Sequence, residues 1–149
     1  MKITAKIEGD KELLEAFRRL KVDVAAVFEK AALAGAEEIR AAAQSKAPGP
    51  HIEIEIDEKQ STPGRRVVSI GPDKAHWFYQ FFETGAGAHE IDGKSRQALA
   101  FVGREGAVVR KVVQHPGIAA APFMRPAFDS RKDSAVARAG EVLKKAIEK

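Results

Sequence analysis

Along KITAKIEG (2–9) the apolar side chains Ile3, Ala5 and Ile7 alternate with polar neighbours. A repeat of two is what a half-buried strand needs, because successive side chains point to opposite faces. The period then lengthens. In DKELLEAFRRL, Leu13, Leu14, Phe17 and Leu20 fall on one helical face, and Asp10 is placed to cap it. Asp23 is placed to cap a second, longer helix reaching to about Lys46, where Val24, Phe28, Ala31, Gly35, Ile39 and Ala42 recur every three or four positions. Its stretch EKAALAGAEEIRAAA favours helix and leaves a low surface that another element can approach closely. APGP ends it, since proline lacks the N–H and disfavours helix at the residue before it.

Past that break the period returns to two. HIEIEID sets Ile52, Ile54 and Ile56 on one face and carboxylates on the other; after the loop EKQSTPGR, RVVSIG supplies a return strand, so the pattern predicts an antiparallel hairpin. PDKAHWFYQFFETG has helical spacing, pairing Trp77 with Phe81 and Phe78 with Phe82, and stops at Gly85. Three β-like pieces follow between 88 and 114, AHEI, ALAFV and AVVRKVV, separated by the turn sequences DGKS and GREG. HPGIAAAPFMRPAFD reads as an extended connector, with HPG a redirecting turn and His115 a turn or packing residue. It leads into a last helix carrying Phe128, Ala135, Ala139, Val142, Leu143 and Ala146 on its buried side. The order predicts an α+β fold: an antiparallel sheet with a long N-terminal helix and a C-terminal helix packed on it. One domain over 1–149 is expected, with a protruding β-hairpin around 88–114.

Composition narrows the class. A chain of 149 residues can bury a sizeable core, and its 44% apolar and 31% charged residues are ordinary for a globular protein. No apolar run approaches the ~20 residues of a membrane helix, and MKITAKIEGDKE has no apolar leader segment, so synthesis in the cytoplasm is expected. Without cysteine there are no disulfides, thiolate metal sites or Cys nucleophiles. The net charge of +4 is spread among acids, as in RKDSAVARAGEVLKKAIEK, which describes a solvated mixed-charge surface better than a dedicated nucleic-acid face.

Half of the chain's aromatic side chains lie between Trp77 and Phe82, flanked by His76, Glu83, His89 and Glu90. The compact spacing that puts two metal ligands on adjacent helical turns is absent there. There is no G-x-S-x-G nucleophile elbow, and GAGA follows a helix instead of opening one, so it reads as a helix stop. No basic residue interleaves the aromatics, as a base-stacking platform would require. Five bulky rings cover most of a helix circumference; one face can fill the chain's own core and the rest calls for a partner. No catalytic residue, metal or cofactor is expected, and the chain is not expected to be an enzyme.

Taken together, WFYQFFETG, the strand pair HEI…ALAF, VRKVVQHPG and AAPFMRPAF resemble the HK-ninety-seven gp-ten-like family of tailed phages and prophages. The resemblance runs from about residue 24 to the C-terminus, and FFETG at 81–85 and HPGIAAAPFMRPA at 115–127 are its most specific parts. It implies a head–tail joining or tail-completion (neck) protein of the virion, assembling into a homo-oligomeric ring between portal-side and tail-tube or tail-terminator proteins, with a lumen for DNA. It implies no active site, no cofactor and no membrane partner. Subunit-contact candidates are Trp77, Phe78, Phe81, Phe82, Glu83, Phe123, Met124, Arg125 and Phe128, with Pro122 and Pro126 stiffening the connector and Glu83 a candidate partner for Arg125. Lys94, Arg96, Arg104, Arg110 and Lys111 are candidates to face DNA phosphates in the lumen. Two rival readings are a small basic nucleic-acid-binding protein and a metalloenzyme or hydrolase using His76, Glu83 and His89.

Overall fold

Asp23 does what its position predicts: its Oδ1 accepts a hydrogen bond from the Ala26 N–H at 3.2 Å and starts the longest N-terminal helix. The computed structural model describes residues 3–8, 11–20, 23–62, 64–92, 99–103 and 106–148; Asp10, the other expected cap, lies outside them. The chain divides into two compact units, residues 1–79 with 122–149, and residues 80–121. The fold is α+β.

In the first unit β1 (Ile3–Glu8) is followed by α1 (Lys11–Arg19) and α2 (Val24–Gln44). Phe17 of α1 is fully buried and meets Phe28 of α2 edge-on, ring centroids 6.1 Å apart. β2 (Ile52–Ile56) and β3 (Arg65–Pro72) form the predicted antiparallel hairpin, and β1 pairs with the other edge of β3, giving the order β1-β3-β2. Along β2 the alternation holds: Ile52 is buried, Ile54 and Ile56 half-buried, Glu53 and Glu55 exposed. Central β3 is buried at every position from Val67 to Gly71, so both its faces are covered. α2 packs on all three strands, and Arg66 of β3 pins it by donating to Glu29 Oε2 at 2.9 Å.

The C-terminal helix α4 (Met124–Ile147) packs along α2. A Cβ on Gly35 would sit 2.8 Å from the Ala135 carbonyl oxygen, so the two backbones touch where α2 has no side chain. Ala31, Ala32, Ala36 and Ala43 of α2 and Ala127, Ala135 and Ala139 of α4 are all buried. The alanine-rich stretch is therefore a helix–helix contact surface. No helix among the described residues is long and apolar enough to cross a membrane.

Two predicted elements differ from what forms. The helix expected in PDKAHWFYQFFETG forms over its second half only, as a 3₁₀ turn, Trp77–Tyr79, running into the short helix α3 (Gln80–Thr84). Residues 73–76 form a turn ahead of it, in which the His76 N–H donates both to the Asp73 carbonyl at 3.1 Å and to the Asp73 side chain at 2.8 Å. Gly85, at φ +72°, then stops α3 in the left-handed region as expected.

In the second unit, AVVRKVV is not one strand but two. β4 (His89–Asp92) pairs with β7 (Val112–His115), and β5 (Leu99–Gly103) pairs with β6 (Gly106–Arg110). The break falls at Lys111, where the chain leaves one two-stranded ladder and enters the other. Region 88–114 therefore contains two successive ladders, one enclosed in sequence by the other. A bridge between Ala86 and Ile118 closes its base, where Gly117 at φ +84° has no room for a Cβ against the Ala86 carbonyl.

Candidate functional site

The β2–β3 ladder continues one step past its last paired residues, with the Asp73 N–H donating to the His51 carbonyl at 3.0 Å. Hairpin register thus fixes His51 and Asp73 side by side, and the Asp73 turn brings in His76. Asp73 Oδ1 accepts from the His76 backbone N–H at 2.8 Å and lies 2.7 Å from His76 Nδ1, while Oδ2 lies 3.4 Å from His51 Nδ1. The two imidazoles stack, with centroids 3.4 Å apart and planes 9° from parallel.

Around this pair the aromatics are ordered. Tyr79 stands edge-on to His51 at 6.1 Å and to His76 at 5.5 Å, and Phe123 lies against Tyr79 at 6.3 Å. Phe78 packs on His76 and on Tyr79. Gly49 passes so close to the Tyr79 hydroxyl that a Cβ there would collide with it. Gln44, the last residue of α2, holds that loop in place: its Nε2 donates to the Gly49 carbonyl at 2.7 Å and its Oε1 accepts from the Ile52 N–H at 3.2 Å. Desolvation works to raise the Asp73 pKa, but the hydrogen bonds and charge of His76, with the Ala75 N–H, outweigh it and hold the carboxyl below its usual range. Among the described residues this is the one group of three His, Asp or Glu side chains whose donor atoms all lie within 4.8 Å of one another.

Of the residues in the metalloenzyme reading, His76 is in this cluster, but its companions are His51 and Asp73. The signal was present: Asp73 stands three residues before His76, a capping distance, and His51 adjoins the strand that the predicted hairpin pairs with the end of β3. His89 instead faces His115 across the β4–β7 ladder, with ring centroids 5.0 Å apart, and Gln114 donates to Glu90 in the same ladder at 2.7 Å. His115 accepts from the Gly117 N–H at 3.1 Å, the turn role its sequence position suggests.

The subunit-contact candidates sort by exposure. Trp77 is 59% exposed, Phe78 40% and Phe81 39%, while Phe82 and Phe128 are half-buried and Arg125 is exposed. Tyr79, at 4%, is the ring of this run given over to the interior. Three candidates need correction. Phe123 and Met124 are fully buried in the protomer, at the start of α4, and Glu83 is buried as well. They offer little or no surface to a neighbour. Of the lumen candidates, Arg110 and Lys111 are exposed, and Lys94, Arg96 and Arg104 lie outside the described residues.

Comparison with protein-family models, with curated proteins and with solved structures gives no match.

Proposed function

We propose that the protein is a structural subunit of a tailed-phage or prophage virion, a head–tail joining or tail-completion protein that works as a homo-oligomeric ring. The observation that carries this reading is the exposed aromatic turn. Trp77 and Phe78 project from a segment whose backbone is held by Asp73 and whose neighbour Tyr79 is anchored inside. Large rings left at the surface on a rigid support are the usual anchors of a protein contact. The β4–β7 ladder adds to the support: all four residues of β4 are exposed, as are the apolar Ile91 and Val112. Two-stranded ladders are marginal in water unless something covers them. A closed ring supplies such cover through head-to-tail contacts between two different patches of each copy.

In this role Arg110 and Lys111 lie on a segment that can line a DNA passage through sequence-blind phosphate contacts. The protein then acts in the virion neck or tail, between portal-side and tail-tube or tail-terminator proteins, and performs no catalysis. The test is assembly. The purified chain, or the chain mixed with tail-less heads and free tails, is expected to give rings by electron microscopy and to restore joined particles. Trp77→Ala with Phe78→Ala is expected to abolish both while the protomer stays folded by circular dichroism. Unimpaired joining by that variant would sink the reading. Tight duplex binding by the isolated protomer, falling steeply with salt, would favour the nucleic-acid-binding alternative instead.

A further inference from the structure

We infer that His51, Asp73 and His76 form a binding site for a borderline divalent transition ion, with Zn²⁺ the best fit. The inference goes beyond the assembly reading and stands or falls separately from it. Two imidazoles and one carboxylate make an N₂O donor set, the kind that Zn²⁺ takes with a water completing four positions. Donors at ~2.0–2.1 Å from a tetrahedral ion are ~3.4 Å from one another, and the 3.4 Å between His51 Nδ1 and Asp73 Oδ2 already matches. His76 Nδ1 stands 2.7 Å from the other oxygen, Oδ1; that hydrogen bond has to open by about 0.7 Å, and the carboxylate has to turn to present one oxygen to both rings.

The parallel stack sets a second condition for binding. Lone pairs in two parallel rings do not converge, so one ring must turn. His51 is the ring that can: its contact with Asp73 is longer than a hydrogen bond, and its side chain keeps about a third of its surface in solvent. His76 is the less mobile ligand, because its backbone N–H donates to Asp73 and its side chain is the more buried of the two rings. Binding through His76 Nδ1 requires that nitrogen to carry no proton, the ring N–H then being on Nε2. The rest of the site is already rigid. Ladder pairing spaces His51 from Asp73, Gln44 ties down the loop before His51, and Tyr79 backs both rings. An ion here would cross-link the end of the β2–β3 hairpin to the turn that presents Trp77 and Phe78.

The test uses the full chain without a histidine tag. Titration with Zn²⁺ by calorimetry is expected to show one saturable equivalent per chain. Zn²⁺ at a hundredfold excess over its Kd is expected to raise the melting temperature by about 5–10 °C. Co²⁺ in its place is expected to give the intense visible bands of a four- or five-coordinate site. His51→Phe keeps a ring on the stack and leaves the Asp73 turn intact while deleting the nitrogen donors, so it is expected to bind Zn²⁺ at least tenfold more weakly with the fold unchanged. His76→Ala is expected to do the same, and His89→Ala with His115→Ala to change nothing. The inference is overturned by absence of a saturable equivalent, by full binding in His51→Phe and His76→Ala, or by loss of binding in the His89/His115 variant.

Discussion

Asp73 ends a β-ladder, caps a turn and carries the charge that faces two histidines. Its pH behaviour follows from that placement. A carboxyl held below its usual range contributes stability that is fully present above the unfolded-chain value near 4 and is lost as pH falls through the lower folded value. The wild-type chain is therefore expected to lose stability below about pH 4 through this group. Asp73→Asn retains an oxygen for the His76 N–H but not the charge, so its urea midpoint is expected to be lower at neutral pH and to converge on the wild type in acid. Parallel pH profiles for the two proteins would contradict this account.

At the scale of elements, the α2–α4 contact is set by the smallness of Gly35. Gly35→Ala gains helix propensity but drives a methyl group onto the Ala135 carbonyl at 2.8 Å. The clash is expected to dominate, with a net loss of about 1–3 kcal/mol by chemical denaturation, typical of overpacking. The spacing of Gly35 among alanines made this close approach readable in the sequence, as the alternation in HIEIEID did for the hairpin. What could not be read was the pairing of β1 with β3, since nothing local in KITAKIEG names a partner some sixty residues away. The aromatic segment is helical where its spacing suits a helix, from Trp77 to Thr84, but it opens as a 3₁₀ turn just after the turn at Asp73. Periodicity reports faces; it does not report where the first helical turn falls. The His51–Asp73–His76 cluster falls between the two cases, because it follows from a hairpin that was legible and a register that was not.

For the whole molecule, exposure separates residues that hold the protomer together from residues left for a neighbour. Trp77 is more than half exposed and Phe81 about two-fifths. Replacing both with alanine is expected to cost the protomer about 1–2 kcal/mol, while size-exclusion with light scattering shows reduced assembly. Phe123 and Met124 are expected to show the opposite balance. An alanine at either is a core truncation costing about 2–5 kcal/mol, whether or not any assembly forms.

The pairing of β1 along the outer edge of β3 also has a consequence in time. Ile3 opposes Ile70 across a chain separation of more than sixty residues, whereas β2 and β3 are joined by a short loop. Closing the longer loop costs more entropy and is rewarded only once β3 is already in place, so the first strand of the chain is expected to zip on last. Ile3→Ala should therefore leave the refolding limb of the chevron nearly unmoved and steepen the loss on the other side, speeding unfolding by most of its free-energy cost. An equal slowing of refolding would mean that β1 is part of the nucleus.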